Sequence, residues 1–422
     1  MARLLFTTFG SYGDLYPYLA LGRELAWRGH TVTIATSEAY RGKVEADGLA
    51  FQAVRPDVSL DDRTLMEYLF DERMGSERVV RMICSVVRES YEDTLAAARS
   101  ADLMVTHPIS FAAIVAAQKL AMPWVSSVLS PISFFSTYDP PAMGPSFRLY
   151  RALCRLGPGI LRRIFDLAQR QTLRWTQAVL ELRKELGLPP GAHPLFAGSH
   201  SPSLVLALFS RCLAQPQLDW PEHTVITGFP FYDAPGRGLP DELARFLDAG
   251  PPPVVFTLGS SAVGAAGDFY RDSLKAVARL GKRAVFLTGA FRQNLPEQLP
   301  PTVIAVDYAA HSEVFPRAAA IIHQGGIGTT AQAIRAGRPM LIVPFGHDQF
   351  DNAQRVRRLG AGEVVARSHY NERRAESGLR RILEDPRHEQ AAKTLAAIVK
   401  AENGCATAAQ AIDGYLRQCS LA

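Results

Sequence analysis

"HQGGIGTTAQAIRAGRPMLIVPFGHDQFDNA" runs from His323 to Ala353, and the order of its residue types decides the fold. The apolar run "AAIIHQ" leads into it. Glycines follow, then a stretch with helical apolar spacing, then a second apolar run, "PMLIVPF", and an acid–amide pair, Asp348-Gln349. That order reads as strand, glycine turn, helix and strand. Strands separated by helices pair in parallel, and such a sheet is covered by helices on both faces. Its ligands bind beyond the carboxyl ends of the strands, which is where His323 and the glycines fall.

The turn itself carries chemistry. Gly325, Gly326 and Gly328 let the backbone come close to a ligand. A helix beginning near Thr329 would aim free N–H groups and its positive end at that ligand. Thr329 and Thr330 add hydroxyl donors, and His323 can donate to an anionic oxygen. A ligand-free glycine turn is the plainer account of a Gly-x-Gly pattern alone. The coincidence of histidine, two threonines and a helix start argues for a diphosphate site instead. No Lys-Ser/Thr follows the glycines, so this is not a Walker loop, and the acid some twenty residues on is not placed to read a dinucleotide ribose. Asp348 accepts hydroxyl protons, and the Gln349 amide both donates and accepts. One strand beyond a diphosphate loop, the pair suits a sugar, and the two together suggest a nucleotide-diphosphate sugar.

Outward from this stretch the same rhythm recurs. "RLLFTTF", "HTVTIATS", "ADLMVTHP", "MPWVSSVLSP", "SLVLALFS" and "HTVITGFP" are strand candidates in the first half; "PVVFTLGS", "AVFLTG", "VIAVDY", "AAIIHQ" and "PMLIVPF" are those of the second. The α/β reading is therefore of two doubly wound domains facing a cleft. The expected bounds are 1–228, a Pro/Gly-rich linker over 229–240, a second domain over 241–400, and a last helix over 401–422.

Bulk properties bound the rest. The 422 residues carry a net charge of +5, too mild to argue for nucleic acid. Five scattered cysteines form no CxxC pair and read as inert thiols. No Asp-x-Asp motif and no metal-spaced His/Cys cluster occurs, so neither a metal nor a cofactor is expected. The opening "MARLLFTTFG" is too short in its apolar run for a leader, and no run of about 18 apolar residues follows. The expectation is a cytoplasmic protein.

His323 to Ala353 resembles the donor-binding signature of family 1 glycosyltransferases of the GT-B superfamily, on His323, Gly325, Gly328-Thr329, "AGRPMLIVP", Asp348-Gln349 and Asn352-Ala353. "GSYGDLYPYLALGRELAWRGHTV" is similar to that family's first loop and helix. "GFPFYD", "LPDELARFLDAG", "GDFY" and "HDQFDNA" resemble, more narrowly, the bacterial rhamnosyltransferases of rhamnolipid synthesis. The resemblance implies that His323 and the loop Gly325–Thr330 bind the donor diphosphate, with Ser260 and Ser261 as a second phosphate contact. It implies that Asp348 and Gln349 hold sugar hydroxyls. It places Tyr308 and Ala309 at the nucleotide base, with Tyr308 where plant members carry a stacking tryptophan. Ala331 stands where the plant signature has a ribose-binding glutamate, which leaves UDP and dTDP donors both open.

An inverting transfer needs a base for the acceptor hydroxyl. Where many members carry a first-loop histidine, this chain has Asp14, as several antibiotic glycosyltransferases do. Asp14 could instead cap a helix starting near Pro17. His107, at another strand tip, is the second choice of base or a partner for Asp14. Phe134, Phe135 and Tyr138 suggest an apolar acceptor, although an aromatic cluster is as often packing. The expected reaction is metal-independent transfer from UDP- or dTDP-sugar, for example dTDP-rhamnose or UDP-glucose, to a hydroxyl of a lipid or hydroxy-fatty acid. The alternative is glucosylation of aromatic or polyketide natural products. A sugar-nucleotide epimerase and an inactive binding subunit are weaker readings, given the aromatic loop and the intact Asp14, His323 and Asp348. Residues 148–174 hold seven arginines and one acid, Asp166. Such a surface can rest on anionic lipid, and a solvated face explains the same residues more plainly.

Overall fold

The computed structural model describes residues 1–59, 61–233 and 238–421. Among the described residues, thirteen strands form two all-parallel sheets. The first takes β1 (Arg3–Thr7), β2 (Thr31–Thr36), β3 (Ala50–Ala53), β4 (Leu103–Thr106), β5 (Trp124–Val128), β6 (Val205–Ala207) and β7 (Thr224–Ile226) in the order β3-β2-β1-β4-β5-β6-β7. The second takes β8 (Val254–Thr257), β9 (Ala284–Leu287), β10 (Val303–Val306), β11 (Ala320–His323), β12 (Met340–Ile342) and β13 (Gly362–Val364) in the order β10-β9-β8-β11-β12-β13. The central strands are buried along their length: "LMVT" in β4, "VVFT" in β8 and "AIIH" in β11 expose nothing. Burial on both faces is what a parallel sheet wrapped by helices requires. Strand order reverses between β1 and β4 and again between β8 and β11, and these reversals are the crevices where such sheets bind ligands.

The two sheets are tied together by more than the chain connection. Met66, Leu69 and Phe70, from an excursion after β3, share an apolar core with Ala262, Val263 and Phe345 of the second sheet's domain. On the other side Arg355, 1% exposed, pairs with Asp351 of its own helix at 2.6 Å and with Asp139 of the β5–β6 connection. Burial works against the Arg355 charge, but Asp351 and Asp139 more than offset it and hold the guanidinium protonated. The Gly404–Leu421 helix returns to the first domain. There Ala408, Ala409 and Ile412 join the core around Leu19 and Leu25, and Asp413 accepts from Arg28 at 3.0 Å.

Of the linker expected over 229–240, residues 234–237 lie outside the described residues. Its Tyr232 stacks on Tyr16 at 4.7 Å and donates to Asp47. Among the described residues, no helix is long and apolar enough to cross a membrane.

Candidate active site

The β1–β4 crevice carries Asp14 and His107. After β1 the chain turns through Gly10 and enters the Tyr12–Trp27 helix, capped by Ser11. That helix starts five residues before Pro17, and Asp14 is its third residue. The Ser11 N–H donates to Asp14 Oδ2 at 2.7 Å and the Ser11 hydroxyl at 3.2 Å, closing a capping box. Asp14 therefore does cap the helix, but with one oxygen only. Its Oδ1 faces His107 Nε2 at 3.5 Å. His107 follows β4, its side chain 7% exposed against 32% for Asp14. Its Nδ1 accepts the Ile109 N–H at 3.4 Å, which leaves Nε2 turned toward Asp14. Gly10 has φ +133°, and a Cβ there would stand 2.3 Å from Asp14 Oδ2, so only glycine leaves room for this carboxylate.

The β8–β11 crevice carries the glycine loop. His323 ends β11 with no exposure, and its Nδ1 accepts the Gly325 N–H at 3.1 Å. Burial, with His311 adding to it, pulls the imidazole down to about 3, so the ring is neutral and Nε2 carries its proton. Among the described residues that buried Nε2 has no partner, and neither does the Thr330 hydroxyl. The helix begins at Ile327, two residues earlier than expected, on an N-cap, Gly326, with no side chain to satisfy the free N–H groups. Buried donors without acceptors at an uncapped helix start are a vacancy for anionic oxygens. Gly325, at φ +91°, is held so close to the next loop that a Cβ would stand 3.0 Å from the Gln349 carbonyl. Ser260 and Ser261 follow β8, the strand paired with β11, and so border the same crevice. The crevices meet: a Cβ on Gly328 would stand 3.8 Å from Gly13 Cα.

Asp348 and Gln349 begin the helix after β12 and have different surroundings. Gln349, 4% exposed, spends its Oε1 on the N–H groups of Phe345 and Gly346, at 2.8 and 3.2 Å. Only its Nε2 is left for a ligand. Burial pushes the Asp348 carboxyl up to about 7, with Asp14 adding to it, while a hydrogen bond from Asn352 Nδ2 at 2.7 Å works the other way.

Asn352, matched in sequence but given no role, is the hub here. Its Nδ2 also donates to the Gly325 carbonyl at 2.9 Å, and its Oδ1 accepts the Ser130 hydroxyl at 2.8 Å from the first domain. His347, at φ +55° in the left-handed region that costs a non-glycine residue about 1–3 kcal/mol, packs edge-on against Phe70 at 4.9 Å. Nothing local in the sequence marks either contact, since the partners lie more than 200 residues away.

Tyr308 is half-exposed beyond β10, close enough to Tyr16 and Tyr232 to interact electrostatically, and Ala309 is buried beside it. Tyr12 stacks on Tyr16 at 5.3 Å, extending an aromatic wall that sequence reasoning missed. Two tyrosines one helical turn apart were its only signal.

The three aromatic side chains expected at the acceptor have different surroundings. Phe134 is 7% exposed, stacked on Trp220 at 4.2 Å and edge-on to Phe209, so it serves the core rather than a pocket. Phe135, half-buried, packs edge-on against Phe196 at 4.5 Å, and Tyr138 is exposed. None of the three lines the small apolar cavity of about 30 Å³ walled by Phe9, Ile83, Val87, Ile109 and Phe111. It adjoins the loop after β1 and the loop after His107.

Comparison with known proteins agrees with this geometry. Residues 4–127 match the glycosyltransferase family 28 N-terminal domain, and residues 271–412 match the erythromycin biosynthesis protein CIII-like C-terminal domain. The chain is 33% identical to O-mycaminosyltylonolide 6-deoxyallosyltransferase of Streptomyces fradiae, over 98% of this chain and 97% of that protein. It is 28% identical to sterol 3-beta-glucosyltransferase of Yarrowia lipolytica over 97% of its length, spanning 29% of that longer protein. The solved structure of spinosyn rhamnosyltransferase SpnG complexed with thymidine diphosphate shares the fold at a TM-score of 0.69, with 18% identity, 98% of this chain and 100% of that chain covered. The chain belongs to the GT-B glycosyltransferases that join a family 28 N-terminal domain to an erythromycin CIII-like C-terminal domain.

Proposed function

We propose that the chain transfers a sugar, with inversion and without a metal, from a dTDP-sugar to a hydroxyl of an apolar acceptor of the macrolide class. The carrying observation is the opposition of the two crevices. Asp14, backed by His107, faces a helix start whose N–H groups, His323 Nε2 and Thr330 hydroxyl lack acceptors. A diphosphate seated on those donors puts the anomeric carbon between them and Asp14. Asp14 takes the acceptor proton as the acceptor oxygen bonds to that carbon and the bond to the diphosphate oxygen breaks on the far side. The charge released falls on preorganised donors. A single displacement of this kind inverts the anomeric centre.

The macrolide-type acceptor rests on the Streptomyces relative, and the dTDP donor on the structural neighbour complexed with thymidine diphosphate. A lipid acceptor, with dTDP-rhamnose or UDP-glucose as donor, is the second reading, favoured by the sterol-glucosylating relative. The test is a matrix of dTDP- and UDP-sugars against macrolide, sterol and hydroxy-fatty-acid acceptors, read by product mass and anomeric configuration. Product with retained configuration would overturn the mechanism. Turnover of donor to an epimer without acceptor would overturn the transfer reading.

A further inference from the structure

We propose that the outward face of residues 147–174 docks on a membrane surface bearing anionic lipid. The Pro158–Thr172 helix is apolar on two sides. Leu161 and Phe165, 1% and 5% exposed, face inward and meet the needs of packing. Ile160, Ile164 and Leu167 are 55%, 37% and 59% exposed. At about 3.6 residues per turn they form one stripe on another side of the helix. Leu149, on the preceding Phe147–Leu153 helix, is 59% exposed as well. Nothing in the fold requires these side chains in water, and a contiguous exposed apolar strip marks an interaction surface.

Charge identifies the partner. All seven arginines of the segment are exposed. Among the described residues none of them forms an ion pair, whereas arginines on other surface helices pair with acids one turn away, as in Arg63–Glu67, Arg81–Glu77 and Arg380–Glu376. Arg163 and Arg170 border the apolar stripe. Unpaired arginines beside exposed isoleucine and leucine match the headgroup region of an anionic bilayer, where guanidinium groups meet phosphate and the apolar side chains reach the acyl boundary. A self-association face would be expected to carry acids to meet these arginines, and the segment has only Asp166. The inference is independent of the donor and acceptor assigned above.

The experiment is co-sedimentation of the full chain with vesicles of phosphatidylcholine and phosphatidylglycerol in equal parts, and with vesicles of phosphatidylcholine alone. Binding is expected to the mixed vesicles only, and to weaken with salt. Each arginine changed to glutamine should weaken partitioning roughly fivefold, so Arg162→Gln/Arg163→Gln/Arg170→Gln should weaken it about a hundredfold. Ile160→Ser/Leu167→Ser should abolish it. Both variants should keep the wild-type melting temperature and transfer to a water-soluble acceptor. No binding to the mixed vesicles, or binding unchanged in the arginine variant, overturns the proposal. So does a wild-type dimer in light scattering that Ile160→Ser/Leu167→Ser turns into monomer, because the face would then belong to a second copy.

Discussion

Asp14 and His107 come from different strands of one crevice, and the two oxygens of Asp14 do separate work: Oδ2 holds the Ser11 N–H at 2.7 Å, and Oδ1 faces His107 Nε2 at 3.5 Å. Asp14 is the more exposed of the pair and is the one an acceptor hydroxyl can reach. Asn at position 14 keeps an oxygen for Ser11, so Asp14→Asn should fold normally while kcat falls about 10²–10⁴-fold. Donor affinity, titrated separately, should change little. His107→Gln removes a single contact to Asp14 and should cost roughly tenfold. If His107→Gln proves the more damaging of the two, the roles are reversed and the histidine is the base.

His323 is expected to act as a neutral donor, since burial keeps its imidazole unprotonated. His323→Ala removes the Nε2–H and leaves the Gly325 N–H without its acceptor. A lost hydrogen bond to a charged group costs about 1.5–3 kcal/mol, so dTDP affinity in a calorimetric titration should fall roughly 10–100-fold. His323→Asn, which keeps a donor, should recover part of it. Wild-type affinity in a folded alanine variant would show that the diphosphate sits elsewhere.

Chelator should leave the rate unchanged. Among the described residues no three His, Cys, Asp or Glu side chains group as a metal site, and the unpartnered donors at the Gly326 helix start can take the leaving charge. Activity abolished by EDTA and restored by Mg²⁺ or Mn²⁺ would refute this.

What the sequence disclosed follows a physical line. Buried central strands were legible because a parallel strand covered on both faces is a continuous apolar run. The two strands that escaped, Ala50–Ala53 and Gly362–Val364, are short edge strands, and "AFQA" and "GEV" carry too little apolar pattern to be read. His323 was legible as the last residue of a strand, and Asp348 and Asp14 as residues of the turns that follow strands. The helix start at Tyr12 was not, because Pro17 looks like a first-turn proline although it lies inside the helix. Asn352 with Ser130, His347 with Phe70 and Arg355 with Asp139 join segments far apart in the chain, and no local spacing encodes such meetings.

Asp348 gives the last prediction. Unfolded, its carboxyl titrates near about 3.9; in the fold, burial raises it to about 7. Between these values the native state keeps a proton that the unfolded chain has lost. The contribution of this group to stability therefore falls as pH rises from about 4 to about 7, and stays lost above that. Asp348→Asn removes the titration. Its unfolding free energy, from urea titration, should thus exceed that of the wild type by a margin that widens between about pH 5 and about pH 8, by on the order of 1–2 kcal/mol once partial exposure is discounted. Asn352→Ala takes away the stronger of the hydrogen bonds that favour the ionised form, so the wild-type break near pH 7 should move to higher pH. Sugar recognition should show the same group. The gain in affinity of a dTDP-sugar over dTDP alone should change across pH 7 in the wild type and be flat in Asp348→Asn. A stability margin identical at both pH values would mean that Asp348 is ionised throughout, and that it meets the sugar as an ordinary carboxylate.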